Sequence, residues 1–239
     1  MTMGGQNAAG GSPVISIILP VLNEAGRINE ILSHLRALPH DGGVEFIVVD
    51  GDPGGGTLKV VQDDGVLGTI SQKGRALQMN HGAGLASGDI LLFLHADTLL
   101  PRNALARVKT AMEGPRFVAG AFDLGLDTAR SIFRITEKYV ALRTRLTRIP
   151  FGDQAIFIRR AYFEKIGGYK DVPLMEDVEL MGRIKKRGDR ICIIPEKVMT
   201  SVRRWEQEGI LYCTIRNWAI QLLYALGVPP ERLVKWYKS

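Results

Sequence analysis

The chain has little of what several common protein classes require. Its two cysteines, Cys192 and Cys213, stand apart without CxxC spacing. A metal or redox role for them is set aside, and both are expected reduced and buried in regular structure, as in a cytosolic protein. No apolar run reaches the roughly 18 residues of a spanning helix; the longest, 218–226, is short and contains Gln221. Neither GxGxxG nor a Lys-bearing glycine loop follows the first apolar run, 15–19; Pro20-Val21-Leu22-Asn23-Glu24 stands there instead. That argues against a dehydrogenase and a nucleotidyltransferase. Histidine is scarce: His34, His40, His81 and His95, with none beyond. Residues 1–12 are Gly, Ala, Ser, Asn and Gln with almost nothing apolar, so they are expected to form a disordered tail. They have neither the charged nor the apolar region of a secretory signal. A cytoplasmic location follows as the expectation, with membrane association as its variant.

What is present suits one α/β domain. A chain of 239 residues, 46% of them hydrophobic, can bury a proper core. The net charge of +6 is local: 130–148 holds Arg130, Arg134, Lys138, Arg143, Arg145 and Arg148 against Glu137 alone, leaving the remainder nearly neutral. A nucleic-acid binder would be basic over a wider face.

Short apolar runs alternate with helical patterns through the first half, which predicts βαβ units and a mainly parallel sheet. Strands are expected at 15–19, 45–50, 66–70 and 90–95, the second rich enough in Val and Ile for burial on both faces. Ile28, Ile31, Leu32, Leu35 and Leu38 have helical spacing, and 74–86 reads as a second helix. Farther on, strands are expected at 117–126, 155–158 and 190–194. Helices are expected at 176–187 and at 210–226, the latter stopped by Gly227 and Pro229-Pro230. In the basic segment Ile132, Ile135, Tyr139, Leu142, Leu146 and Ile149 form one apolar stripe, with most of the cations opposite and Arg143 near the stripe. The stripe is expected to pack on the sheet; contact with a membrane surface or an anionic acceptor is the alternative. The helix at 210–226 is expected beside it or in a homodimer contact.

Ligands of open α/β sheets bind outside the carboxyl ends of the strands. Three acids fall there: Glu24 shortly after the first strand, Asp50 closing the second, and Asp97 just past the run ILLFLH. Gathered together they would repel one another, and a cation or a hydrogen-bonded base would relieve that. Arg75, near Lys73 at the start of a helix, suits a phosphate. Taken singly, each is equally well a turn, cap or solvated residue.

The segments SIILPVLNEA, IVVDGDPGGGT, KGRALQMNHGAGLASGDILLFLHADT, FGDQAIFIRRAYFEKIGGY, PLMEDVELMGRIKKRG and VRRWEQEGI resemble family 2 glycosyltransferases of the GT-A fold, from Val14 to about Tyr237. GRALQMN and FGDQ are similar to the branch associated with arsenosugar biosynthesis and with radical-SAM and selenoprotein gene neighbourhoods. The resemblance implies one domain over 13–239, with 13–100 as the nucleotide-binding half and 101–239 as the acceptor half. It also implies an inverting transfer from a nucleotide-sugar, a UDP-sugar first, to a hydroxyl on a small soluble acceptor. Pro20 and Glu24 would line the nucleotide pocket, Asp50 would accept from the base with Asp52 in its loop, and Arg75 would face the ribose or diphosphate. Asp97 would hold a divalent metal, Mn²⁺ or Mg²⁺, through the D-x-D motif, here His95-Ala96-Asp97. Imidazole at His95 suits Mn²⁺ better, and diphosphate and water must complete the shell. Asp177 would be the catalytic base; from spacing alone it is equally an ordinary acid at a helix start. Gly152, Asp153, Gln154, Glu176, Arg204 and Trp205 would lie on the acceptor side. Two alternatives remain: a polyprenyl-phosphate acceptor at the membrane surface, and an inactive nucleotide-binding module, suggested by His95 and the altered loop 51–56.

Overall fold

The computed structural model describes residues 14–40 and 43–237; the expected tail, 1–12, lies outside them. The amino-terminal half follows its hydrophobic pattern. Strands β1 (Ile15–Val21) and β2 (Val44–Asp50) pair in parallel, helix α1 (Ile28–Arg36) crosses between them, and β3 (Val66–Ile70) extends the sheet beyond β2. Helix α2 (Arg75–Leu85) leads to β4 (Ile90–Phe93), which lies parallel to β1 on its other side. Ile15, Ile17 and Leu19 face the α1 side, Ile18 faces α2, and all four are fully buried. β4 is shorter than ILLFLH suggests: it ends at Phe93, with Leu94 still donating its N–H to Ile18 O at 3.0 Å and His95 beyond the pairing.

The second half adds β5 (Thr98–Leu99), α3 (Ala104–Ala111), β6 (Ala119–Asp127), α4 (Ile132–Thr147), β7 (Phe157–Arg159), α5 (Arg160–Lys165) and α6 (Glu176–Lys186). It ends with β8 (Ile191–Ser201), α7 (Arg203–Glu208), α8 (Ile210–Ala225) and α9 (Pro230–Tyr237). The sheet runs β3-β2-β1-β4-β7-β6-β8-β5, with β7 antiparallel to both neighbours and β5 antiparallel to β8. β8 is far longer than the expected 190–194. Pro195 and Glu196 fall at a register shift against Phe122 and Asp123, so the proline that hides the strand in the sequence sits where no ladder N–H is needed.

One expectation is overturned. The stripe of α4 does not pack on the sheet: Ile132, Ile135, Tyr139, Leu142 and Leu146 are exposed, and Ile149 alone reaches the core. The helix turns Phe133, Glu137 and Thr144 inward. Glu137 accepts the Leu126 N–H and pairs with Arg134 and Lys197, while Thr144 donates to Gln154. Polar pins at the end of β6 thus fix the rotation of α4. α8 does lie beside it, with Tyr139 and Trp218 5.1 Å apart between ring centres. The two cysteines are not joined in a disulfide; Cys213 is buried as expected, whereas Cys192 is only half-buried.

Candidate active site

The carboxyl ends of β1 and β2 are tied by Gln78 of α2, whose Nε2 donates to Val21 O at 2.7 Å and Val49 O at 2.8 Å. Beyond them runs the glycine-rich loop 51–56. Asp50 is fully buried and spends one oxygen on the Asp52 N–H and the other on the Thr57 N–H. Asp52 accepts from Gly54 and Gly56, bonds that hold its carboxyl below the usual range. These two acids therefore shape the loop. Of the three strand-end acids, Glu24 and Asp97 lie near enough to interact. Burial raises the Glu24 carboxyl, Arg203 opposes the rise, and Asp97 adds to it.

Behind that edge lies a chamber of about 280 Å³. Arg75, His95, Asp97, Gly152, Asp153, Asp177 and Trp205 all line it. His95 and Asp97 arrive because the chain leaves β4 at Phe93; Asp97 is then pinned where its carbonyl accepts the Ser201 N–H beside the β5–β8 pair. Asp177 occupies the first turn of α6, whose cap, Met175, adopts φ 66°. Its Oδ2 accepts the Gly152 N–H at 2.5 Å and its Oδ1 the Val178 N–H at 2.7 Å. A Cβ on Gly152 would stand 3.1 Å from His95 Nε2 and 3.3 Å from Asp177 Oδ2, so a larger residue there would push these groups by a few tenths of an ångström. Ala155, just beyond the Gly152–Gln154 turn, is also left-handed at φ 49°. Side chains forced into that region cost about 1–3 kcal/mol and concentrate at functional sites.

Electrostatically the chamber is acidic with two cations set into it. Burial pushes the Asp153 carboxyl up to about 6; Arg143 opposes the rise, while Asp177 and Asp97 add to it. Asp153 Oδ1 is buried without a hydrogen-bond partner. Burial and then Arg75 lower the His95 imidazole, leaving it neutral and able to ligate. Among the described residues no three His, Cys, Asp or Glu side chains are grouped to hold an ion by themselves. An unpartnered carboxylate oxygen among mutually repelling acids nonetheless fits a divalent cation that shares its shell with a ligand.

Other expected residues sit outside the chamber. Pro20 is in the β1–β2 ladder opposite Val49, and Ala96 lines a small neighbouring cleft with Arg27 and Asp97. Glu176 is buried and pairs with Arg75 at 3.0 Å; its carboxyl is raised by burial, against the pull of that arginine. Gln154 does not face the chamber: its amide donates to Phe122 O and accepts from Phe151, Thr144 and Arg143. Trp205 meets Phe133 edge-on at 6.2 Å while lining the chamber; the side chain of Arg204 lies outside the description. Sequence reasoning passed over Gln78 and Arg143. Arg143 lies 3.6 Å over the Phe151 ring and bonds Gln221 and Gln154. The available signal was that it alone among the six cations lies near the apolar stripe.

Residues 16–167 match the family model described as glycosyl transferase family 2. The chain belongs to that family. This family 2 glycosyltransferase is 29% identical over 217 residues to an uncharacterised glycosyltransferase of Mycobacterium tuberculosis, across 86% of this chain and 83% of that protein. It is 31% identical over 170 residues to a PGL/p-HBAD biosynthesis glycosyltransferase of Mycobacterium bovis, across 66% and 64%. A mannosyltransferase of Pyrobaculum calidifontis, solved with GDP-Man and Mn²⁺, superposes with a TM-score of 0.63 at 24% identity over 80% of this chain and 57% of that one. S. aureus TarS with UDP gives 0.62 at 17% identity over 79% and 60%. The chain thus spans less than two thirds of these two solved chains, and shares with them the GT-A fold.

Proposed function

We propose that the chamber performs an inverting transfer of a sugar from a nucleotide-diphosphate donor to an acceptor hydroxyl, with Asp177 as the general base. The observation that carries this is the placement of the Asp177 carboxylate in one chamber with Asp97, His95 and Arg75. Two backbone N–H groups fix its orientation, and each oxygen keeps a lone pair for the acceptor proton. The acceptor oxygen attacks the anomeric carbon, its proton passes to Asp177, and the nucleoside diphosphate leaves. Positioned base catalysis contributes about 10²–10⁴-fold. Arg75 places positive charge beside the diphosphate, with Glu176 setting the direction of its guanidinium. A divalent ion, Mn²⁺ or Mg²⁺, held by Asp97 with His95 and the donor's oxygens, would stabilise the leaving diphosphate.

In this reading 13–100 bind the nucleotide through the loop that Asp50 and Asp52 shape, together with Pro20, Glu24 and Ala96. Residues 101–239 supply Gly152, Asp153 and Trp205 around the acceptor, with Gln154 and Glu176 supporting that wall from behind. A UDP-sugar is the first donor to test and a GDP-sugar the second. GRALQMN and FGDQ contribute the buried Gln78 and Gln154, and on them the arsenosugar-associated branch remains the finer assignment.

Melting in the presence of UDP, GDP and their sugars, with and without Mn²⁺, tests donor and metal together. A ligand at a hundred times its Kd adds about 2.7 kcal/mol of stability. An inactive binding module would stabilise with nucleotide yet neither hydrolyse nor transfer from any donor of the panel.

A further inference from the structure

Helices α4 and α8 reverse the usual arrangement of an amphipathic helix on a soluble domain. Ile135, Leu142 and Leu146 of α4 are 66%, 60% and 75% exposed, and Ile215 and Leu222 of α8 and Leu226 at its end are 56%, 62% and 72% exposed. Each set recurs at intervals of seven and four and so forms a stripe. The two stripes join where Tyr139 meets Trp218. Two adjoining helical faces of this kind form one continuous apolar patch, which monomeric surfaces rarely leave open without an interaction to explain it.

Charge identifies what the patch meets. The sequences of α4 and α8 contain a single acid, Glu137, and it is buried and paired. Lys138 lies on the polar face of α4 at its margin with the stripe, and Arg130 and Arg148 stand at the two ends of that polar face; all three are exposed and make no ion pair among the described residues. Apolar side chains bordered by cations, with no exposed acid between them, complement an anionic lipid surface. A second copy of the chain meeting the same face about a twofold axis would bring these cations together.

The chamber opens onto this face. Tyr139 and Trp218, both partly exposed, also line it, as do Val140 and Asn217 from the same two helices. We propose that α4 and α8 seat the chain on an anionic membrane surface, so that the chamber receives an amphipathic acceptor whose hydroxyl reaches Asp177 from the lipid side. The acceptor part rests on the chamber being the transfer site; the docking part does not.

The test is flotation of the full chain with vesicles of phosphatidylcholine alone and of phosphatidylcholine mixed with phosphatidylglycerol, at low and high salt. Binding to the mixed vesicles is expected to exceed binding to the neutral ones by about tenfold or more, and to weaken with salt. Leu142→Glu/Leu146→Glu abolishes it, and Lys138→Glu and Arg148→Glu each lower it by roughly fivefold. These side chains lie outside the chamber, so nucleotide-induced melting shifts in the variants should match wild type and show that the fold is kept. Equal binding to both vesicles, or none, overturns the proposal. So does a concentration-dependent dimer that the double variant dissociates while the wild type ignores vesicles. Vesicle binding without any nucleotide effect keeps the docking surface and removes the transferase reading.

Discussion

The two halves of the sheet are stabilised in different ways. Around β1, β2 and β4, hydrophobic residues point inward on both faces, and stability comes from apolar area removed from water. Around α4, α8 and the start of α6, charged and polar side chains join the apolar ones inside, and on α4 and α8 several large apolar ones point out. Glu137, Gln154, Arg143 and Glu176 are pins, each joining separate elements through hydrogen bonds or ion pairs. A half built on apolar burial is insensitive to where any one polar group lies. A half built on pins sets distances to tenths of an ångström, which is what a chamber holding a base needs.

That contrast can be broken at its strongest point first. Asp177→Asn should lower turnover about 10²–10⁴-fold while leaving nucleotide-induced melting shifts unchanged; wild-type turnover would remove the base assignment. A matched pair of substitutions comes next. Leu19→Ala, in the buried core, should cost about 2–5 kcal/mol, whereas Leu146→Ala, on the exposed stripe, should stay within about 0.5 kcal/mol. Denaturant midpoints measure both, and similar losses would show that α4 is covered after all. Gly152→Ala places a methyl against His95 Nε2 and Asp177 Oδ2, and a displacement of that order costs about tenfold to a hundredfold in turnover. Its melting temperature should barely move.

Glu137→Ala tests the pins themselves. The Leu126 N–H loses its acceptor, while Arg134 and Lys197 remain exposed enough to recover water, so a loss of about 1–3 kcal/mol is expected. The smallest effect is a pH dependence. Asp153 is raised from 3.8 to about 6 in the fold, so its neutral form is the favoured one. Its contribution to stability is therefore complete below about pH 4 and lost as pH climbs through 6. Asp153→Asn should flatten that slope. Adding Mn²⁺ with nucleotide should offset the loss in wild type only, if the cation meets this carboxylate.

Much of the fold could be read directly. The strands at 15–19, 45–50 and 66–70 and the helices α1, α2 and α6 lie where the hydrophobic pattern places them, because each buries its apolar residues in the way periodicity assumes. β5, α3, α5, α7 and α9 escaped, being short or lacking a long apolar run. Of β8 only the first part, within the expected 190–194, was read, because Pro195 interrupts the rest. For the site, the motif segments named Arg75, His95, Asp97, Gly152, Asp153 and Asp177, and all of them line one chamber. Of the acids placed at the strand ends, Glu24 and Asp97 interact, while Asp50 accepts from N–H groups two and seven residues along the chain and so shapes its own loop.

The sequence by itself determined the strand and helix order of the first half, the local excess of positive charge and the chemical types available to the site, because these depend on neighbours along the chain. Tertiary structure alone decided which way α4 faces, which acids meet, and that Gln78 and Arg143 hold the edge and the chamber. Those outcomes turn on which backbone donors and acceptors from distant segments remain unpaired when the sheet closes, and a linear pattern carries no record of them.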